Sequence, residues 1–445
     1  MGKYFGTDGL RGRANDGINA VQAFKIGRFL GRYYLKQGKK PRAVIGKDTR
    51  LSGYMLEYAV ASGLASSGAD SYLMHVTTTP SVSYIVRKGS FDFGIMITAS
   101  HNPYYDNGIK VLDSSGQKLS DDITDKIEEY LDSSEDIPLA SDSEIGAIFD
   151  YSDGKDAYAR FLTSLGKSLN GYKIGLDLAN GATYEIAKRV FTALGASVMA
   201  LGDLPNGLNI NLKCGSTNIS DLCSLVKKNS LDFGFAFDGD GDRCIAVDEN
   251  GNEVNGDFML YVLARALKER GELAKDTVAC TVMSNSGLIK SLEKIGIRAE
   301  ITKVGDRYVY LCMEQNGYSL GGEQSGHIII KKHLGTGDGI LTAIMVANEL
   351  VSSKKTLSQL CSDVYLYPQK SSSVRVTNKE RALKNRHVQA VFDEIEAEIG
   401  DFGRALLRES GTEPVIRIMV EYKDEGACAD FVKRLEKALL ESEYD

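Results

Sequence analysis

Three times in its first three quarters the chain repeats one pattern. A short apolar run meets a polar or glycine-rich turn, a helical stretch stops at glycine, and a further apolar run follows. The opening runs are Ala43-Val44-Ile45-Gly46-Lys47-Asp48, Lys173-Ile174-Gly175-Leu176-Asp177-Leu178 and Thr277-Val278-Ala279-Cys280-Thr281-Val282, and the helical stretches stop at Gly68-Ala69, Gly195-Ala196 and Gly296-Ile297. Glycine there supplies the left-handed residue that ends a helix. A second echo strengthens the first: Phe91-Asp92-Phe93-Gly94-Ile95-Met96-Ile97 matches Leu231-Asp232-Phe233-Gly234-Phe235-Ala236-Phe237, and Gly317-Tyr318-Ser319-Leu320-Gly321 stands in the same place in the third unit. Alternating strands and helices dictate mainly parallel sheets with helices on their faces. The fold class expected is therefore α/β, with three similar α/β domains.

The remainder reads differently. Residues 371–376 look like a strand, 379–399 like one long helix and 415–421 like a strand before a charged helix, which suggests a C-terminal α+β domain. A chain of 445 residues exceeds what one core holds, and the expected segments are 1–150, 151–255, 256–367 and 368–445. The acidic, serine-rich stretch around 132–143 marks the first boundary.

Charge and cysteine content narrow the class. A formal net charge of −7 argues against nucleic acid or an anionic membrane as a partner. Seven cysteines lack metal-like spacing, and an odd number fits a reducing compartment. The first residues carry no apolar run of a signal peptide and no stretch is long enough to span a bilayer, so a cytoplasmic location is expected.

Each repeat leads into a conspicuous loop. After Ile97 comes Thr98-Ala99-Ser100-His101-Asn102-Pro103, one serine at the C-terminal end of a buried strand, where open α/β sheets place ligands. Pro103 stiffens the loop. After Phe237 comes Asp238-Gly239-Asp240-Gly241-Asp242-Arg243, with carboxylates at alternate positions, which puts them on one side of an extended chain. Three such anions repel unless a cation sits among them, and an all-oxygen set suits Mg²⁺. Glu249 falls at loop position twelve of an EF-hand counted from Asp238, but position six is Arg243 rather than glycine and strands flank the loop. Arg243 is better placed to hold a phosphoryl oxygen.

The third loop, Gly321-Gly322-Glu323-Gln324-Ser325-Gly326-His327, has side chains able to grip sugar hydroxyls, though from composition an ordinary turn reads equally well. In the last portion Arg408-Glu409-Ser410-Gly411-Thr412-Glu413-Pro414 offers a guanidinium, two hydroxyls and a close-approach glycine, a set that suits a phosphate monoester. Arg11 and Lys110 add cations that either face an anionic ligand or lie on the surface. The chain has no phosphate-binding Gly-x-x-x-x-Gly-Lys-Ser/Thr loop, no convincing dinucleotide fingerprint and no Gly-x-Ser-x-Gly elbow.

Taken in order, the four loops at 98–103, 238–243, 322–327 and 408–414 resemble those of the α-D-phosphohexomutase family along the whole chain. The opening Tyr4-Phe5-Gly6-Thr7-Asp8-Gly9-Leu10-Arg11-Gly12 and Gln324, a position typically methionine in the members acting on neutral hexose phosphates, look most like the members acting on glucosamine phosphates. The resemblance implies interconversion of glucosamine 6-phosphate and glucosamine 1-phosphate on the way to UDP-N-acetylglucosamine. Ser100 would be a phosphoserine and glucosamine 1,6-bisphosphate the intermediate. It also implies Mg²⁺ on Asp238, Asp240, Asp242 and a phosphoryl oxygen of Ser100, with glucosamine or glucose 1,6-bisphosphate as primer. Arg11, Arg243 and Lys110 would assist, and Lys110, His101 and His327 are the candidates for proton transfer. Glu323, Gln324 and Ser325 would hold the sugar, and Arg408, Ser410, Gly411 and Thr412 the unreacting phosphate. The expected partner is a small phosphosugar, with a homodimer left open. Two rivals are a mutase for neutral hexose phosphates and a non-catalytic phosphosugar-binding protein.

Overall fold

The computed structural model describes residues 4–6, 9–35, 38–134, 136–410 and 414–442. They fall into two compact units, Met1–Met283 with Ala299–Cys361, and Ser284–Arg298 with Ser362–Asp445.

In the first unit three sheets share one wiring. Strand Arg42–Lys47 lies between Asp70–Val76 and Phe93–Ile97, Lys173–Asp177 between Ser197–Leu201 and Phe233–Phe237, and Thr277–Thr281 between Arg298–Thr302 and Leu320–Gly322. In each sheet the third strand of the repeat then turns back into an antiparallel neighbour, Asp106–Asp113, Cys244–Val247 or Ile328–Ile330. Phe93–Ile97 and Phe233–Phe237 are buried at every position, which explains why they read as unbroken apolar runs rather than alternating ones. Gly68, Gly195 and Gly296 have φ of +85°, +95° and +71°, the left-handed helix ends that the sequence called for. The first sheet grows to seven strands by adding Phe5–Gly6 and Gly9–Arg13 at one edge and Ile148–Asp150 at the other. Among the described residues no helix is long and apolar enough to cross a membrane.

The second unit is an antiparallel sheet ordered Gln369–Arg375, Val415–Tyr422, Gly403–Glu409, packed with helices Arg386–Ile399 and Glu425–Glu441 around Val388, Ile395, Phe431 and Leu435. Two expectations for this region need correction. The helix expected over 379–399 is two, Lys379–Lys384 and Arg386–Ile399, because Asn385 takes ψ of 129° and its side chain accepts from the amides of His387 and Val388, capping the second helix. The strand Gly403–Glu409 was also not anticipated. Helix Ser286–Lys294 belongs to this unit, where the buried Glu421 carboxylate accepts from Ser286 N at 3.0 Å, Ser286 Oγ at 2.7 Å and Arg404 Nη2 at 3.1 Å.

Helices Ala20–Leu35 and Gly53–Ser66 of the first unit approach until their backbones touch. A Cβ at Gly27 would lie 2.3 Å from the Val60 carbonyl oxygen, and one at Gly63 would lie 2.2 Å from that of Phe24. Neither neighbour is a side chain that can yield. Gly63→Val should therefore lower the stability of the first unit by about 1–3 kcal/mol, the usual cost of overpacking, read as a lower thermal midpoint.

Candidate active site

The three prominent loops occupy one topological position. Each is the hairpin connection from the third strand of a repeat to its antiparallel neighbour: residues 98–105, 238–243 and 323–327. Ser100 sits in the first with φ of +51°, a conformation a non-glycine residue holds only when its surroundings impose it. Arg50 imposes it. Its buried guanidinium donates through Nη2 to the carbonyls of Ser100 and Asn102 at 2.8 Å each, and through Nη1 to Asp106 O at 3.0 Å and to Pro103 O. Its Nε donates to Asp48 Oδ2 at 2.8 Å, an oxygen that also accepts from Thr98 Oγ1 at 2.7 Å. Thr98 Oγ1 in turn accepts from Ser100 N at 2.9 Å, and Asn211 Nδ2 donates to Ser100 O at 2.9 Å.

The aspartate loop is not extended, as alternation had suggested. It is a tight turn in which Gly241 N donates to Asp238 O at 3.1 Å and Gly241 takes φ of +73°. The turn, rather than strand alternation, aims all three carboxylates at one point: ligand oxygens of Asp238, Asp240 and Asp242 lie within 4.8 Å of one another, all buried. Each repeat fastens the turn by its backbone, with Thr79 N donating to Asp240 O at 2.9 Å, Ala182 N to Gly239 O at 2.8 Å and Gly339 N to Gly241 O at 3.0 Å.

Ser100 Oγ donates to Asp238 Oδ2 at 2.7 Å, which brings the serine and aspartate loops together. Lys110 Nζ lies 2.8 Å from Asp240 Oδ2 and 3.4 Å from Asp242 Oδ2, and Thr79 Oγ1 donates to Asp240 Oδ2 at 2.5 Å. Arg243 N donates to Asp238 Oδ1 at 3.2 Å, while Arg243 Nε stands 3.9 Å from Asp242 Oδ1. Burial, and then the charges of Asp242 and Asp240, push the Asp238 carboxyl well above its ordinary range. Asp242 Oδ1 is buried with no hydrogen-bond partner among the described residues. A divalent cation would relieve both the repulsion and the open oxygen, and the donor set is the hard, all-oxygen kind that suits Mg²⁺.

His101 Nδ1 is 3.3 Å from Ser100 Oγ. Burial, with Arg243 and Arg11 nearby, brings its pKa down to about 4, so the imidazole is neutral near neutral pH and accepts rather than carries charge. His327, buried, lines a cavity of about 290 Å³ together with Lys110, Asp242 and Thr79. Glu323, Gln324 and Ser325 do not line that cavity. Glu323 Oε1 accepts from Gly305 N at 3.1 Å, Gln324 O accepts from Gly256 N at 3.0 Å, and Ser325 is exposed. Glu249 does not join the triad, its carboxylate accepting from Ser358 instead.

In the second unit Arg408 pairs across the sheet with Arg417, and burial with the Arg417 charge lowers its pKa. Lys379 Nζ donates to Ser410 O at 2.7 Å, so three cationic groups gather at the end of this hairpin. Such a cluster favours a dianion. Gly411 and Thr412, with Thr7 and Asp8 of the opening motif, lie outside the described residues.

Four family models match the chain in order: phosphoglucomutase/phosphomannomutase alpha/beta/alpha domain I over residues 2–137, domain II over 156–251, domain III over 255–367 and the C-terminal domain over 373–438. The chain belongs to the phosphoglucomutase/phosphomannomutase family. Within this phosphohexomutase family it is 50% identical over 439 residues to a phosphoglucosamine mutase of Lachnospira eligens, covering 98% of each chain. It is 47% identical over 437 residues to that of Bacillus subtilis, again covering 98% of each. Its fold is shared with a solved phosphoglucomutase/phosphomannomutase family protein of Burkholderia thailandensis (TM-score 0.81, 24% identity, 99% of this chain and 98% of that one). The fold is also that of Aspergillus fumigatus N-acetylphosphoglucosamine mutase in complex with GlcNAc-6P and magnesium (TM-score 0.65, 17% identity, 99% of this chain and 96% of that one).

Sequence reasoning passed over Arg50, Thr79 and Arg417. A signal existed for Arg50: Asp48-Thr49-Arg50 follows the central strand of the first repeat, and charges in that position demand partners. Thr79 and Arg417 carry no local mark. Arg50→Lys in this phosphohexomutase keeps the charge and loses the fork that serves several carbonyls at once. The expected outcome is a folded protein with kcat lowered about 10–100-fold and KM little changed, since displacing the serine by about an ångström has that effect on rate.

Proposed function

We propose that this chain interconverts glucosamine 6-phosphate and glucosamine 1-phosphate as an isomerase, an intramolecular phosphotransferase, in the supply of UDP-N-acetylglucosamine. One contact supports the chemistry above all: Ser100 Oγ lies 2.7 Å from Asp238 Oδ2, at the rim of a buried aspartate triad. The substrate follows from near-50% identity along almost the whole chain to curated phosphoglucosamine mutases, which favours the amino sugar over neutral hexose phosphates.

In this reading Ser100 carries the phosphoryl group, gives it to the sugar to make glucosamine 1,6-bisphosphate, and receives the other phosphoryl group in return. The phosphorylated side chain adds about 1.5–2 negative charges beside three carboxylates, so cations must balance it. Asp238, Asp240, Asp242 and an oxygen of the Ser100 phosphoryl group would hold Mg²⁺, which supplies charge stabilisation for in-line transfer. Lys110, already 2.8 Å from Asp240 Oδ2, and Arg243 and Arg11, both close enough to depress the His101 pKa, add fixed positive charge on the same side. Arg408, Ser410, Gly411 and Thr412 are assigned the phosphate that is not reacting, and Glu323, Gln324 and Ser325 the sugar. Each of the proposed segments 1–150, 151–255, 256–367 and 368–445 carries one of the four loops.

Purified protein assayed with Mg²⁺ and glucose 1,6-bisphosphate as primer should convert glucosamine 1-phosphate, with phosphate on the Ser100 peptide by mass spectrometry. Chelator or Ser100→Ala should abolish turnover. Full activity in Ser100→Ala would remove the mechanism.

Substrate choice is tested separately. An ammonium at C2 would donate to the side-chain amide oxygen of Gln324, and methionine offers only a weak sulfur acceptor. Catalytic efficiency on glucosamine 1-phosphate should exceed that on glucose 1-phosphate, and Gln324→Met should narrow the ratio by about tenfold without abolishing turnover, the effect of one lost polar contact. An unchanged ratio would place recognition of the amine elsewhere.

A further inference from the structure

We infer that Asp306, held by Lys118, is a positioning residue for His327: its carboxylate fixes the imidazole as the Nε2–H tautomer and sets the orientation of the ring at the cavity they share. The inference rests on the phosphosugar reading above and deepens it at the same cavity.

His327 ends the third hairpin loop and is 3% exposed. Its ring lies flat against backbone, for a Cβ added at Gly337 would stand 2.4 Å from Nε2 and 2.5 Å from Cε1. Neither ring nitrogen has a hydrogen-bond partner among the described residues, an arrangement that is costly to bury unless the nitrogens serve a ligand. The ion-pairing group that faces Nε2 is Asp306, with Oδ2 at 3.6 Å. That distance is longer than a hydrogen bond, and contacts of this kind shorten when substrate fills a site.

Asp306 is itself immobilised. It opens helix Asp306–Asn316, where Arg307 N donates to its Oδ1 at 2.8 Å. Lys118 Nζ grips both carboxylate oxygens, at 2.9 and 2.7 Å. Lys118 comes from the first repeat and Asp306 from the third, and a second pair beside them, Arg307 to Asp121 at 2.5 Å, repeats the link. Lys118, Asp306 and His327 line the same cavity as Lys110 and Asp242. A carboxylate behind a histidine selects which nitrogen carries the proton and how the ring points. Here the proton goes to Nε2, the nitrogen nearest Asp306, and the ring is held in one orientation.

The test compares wild type, Asp306→Asn and Asp306→Glu. Ring ¹⁵N shifts of His327, assigned through His327→Gln, should report the Nε2–H tautomer in wild type and a mixture in Asp306→Asn. Asp306→Asn should lower kcat about 10–100-fold with KM within about threefold, and Asp306→Glu should restore part of the loss, as expected when general acid–base geometry rather than folding is disturbed. Unchanged ¹⁵N shifts in Asp306→Asn, or a loss confined to KM, would overturn the inference. If wild type fails to turn over glucosamine phosphates, the substrate reading falls, and the ¹⁵N comparison alone still decides whether Asp306 sets the His327 tautomer.

Discussion

Three carboxylates buried within 4.8 Å of one another are the constraint to which the rest of this molecule answers. Unpaired charge in a low dielectric costs several kcal/mol per group, so the fold must surround Asp238, Asp240 and Asp242 with donors or lose them to protonation. It supplies Ser100, Lys110 and Thr79 from the first repeat and the Arg243 amide from the second, and fixes the turn itself with backbone amides of Thr79, Ala182 and Gly339. Among the described residues the compensation is incomplete: Asp242 Oδ1 is buried without a hydrogen-bond partner, and burial with the neighbouring carboxylates pushes Asp238 well above its ordinary range. The remaining deficit is what makes the place suited to a cation and, beside it, to a phosphoryl group.

A threefold repeat is an economical way to satisfy that constraint. Because the same hairpin connection recurs in each sheet, three loops of similar origin are available for three different tasks. The first is stiffened by Arg50, which ties the carbonyls around Ser100 to Asp48. The second is stiffened by backbone bonds from all three repeats. The third is set by Gly305 and Gly256 amides, which accept no variation in side chain, and its terminal histidine rests on Gly337. Preorganised groups of this kind are worth more to phosphoryl transfer than flexible ones, since no reorganisation is needed as charge develops.

The second unit solves a simpler problem. Arg408, Arg417 and Lys379 concentrate positive charge on one hairpin, and a buried carboxylate, Glu421, secures helix Ser286–Lys294 to the sheet. Buried Glu421 is satisfied by four donor groups of Ser286 and Arg404, whereas Arg408 has the like charge of Arg417 beside it. The first arrangement serves stability, and the second is the kind that an anionic ligand relieves.

Much of this was legible in the chain. Apolar runs ending in loops located the central strands to within a residue or two, and glycines at 68, 195 and 296 marked the helix ends, because local burial and backbone freedom leave a direct trace in residue type. The family, too, was legible in the order of the four motifs, and the three aspartates of one of them do converge. What tertiary structure alone decided was how they meet. No spacing announces that Lys110 reaches Asp240 across 130 positions, that Thr79 bonds the same carboxylate, or that Asp306 stands beside His327. The aspartates converge through a turn at Gly241 where alternation predicted an extended chain, and Asn385 divides a helix whose periodicity ran on without a break. The sequence determined the elements and the reagents, since those depend on neighbours in the chain. Their placement depends on long-range packing and on the need to pair buried charge, which no local pattern encodes.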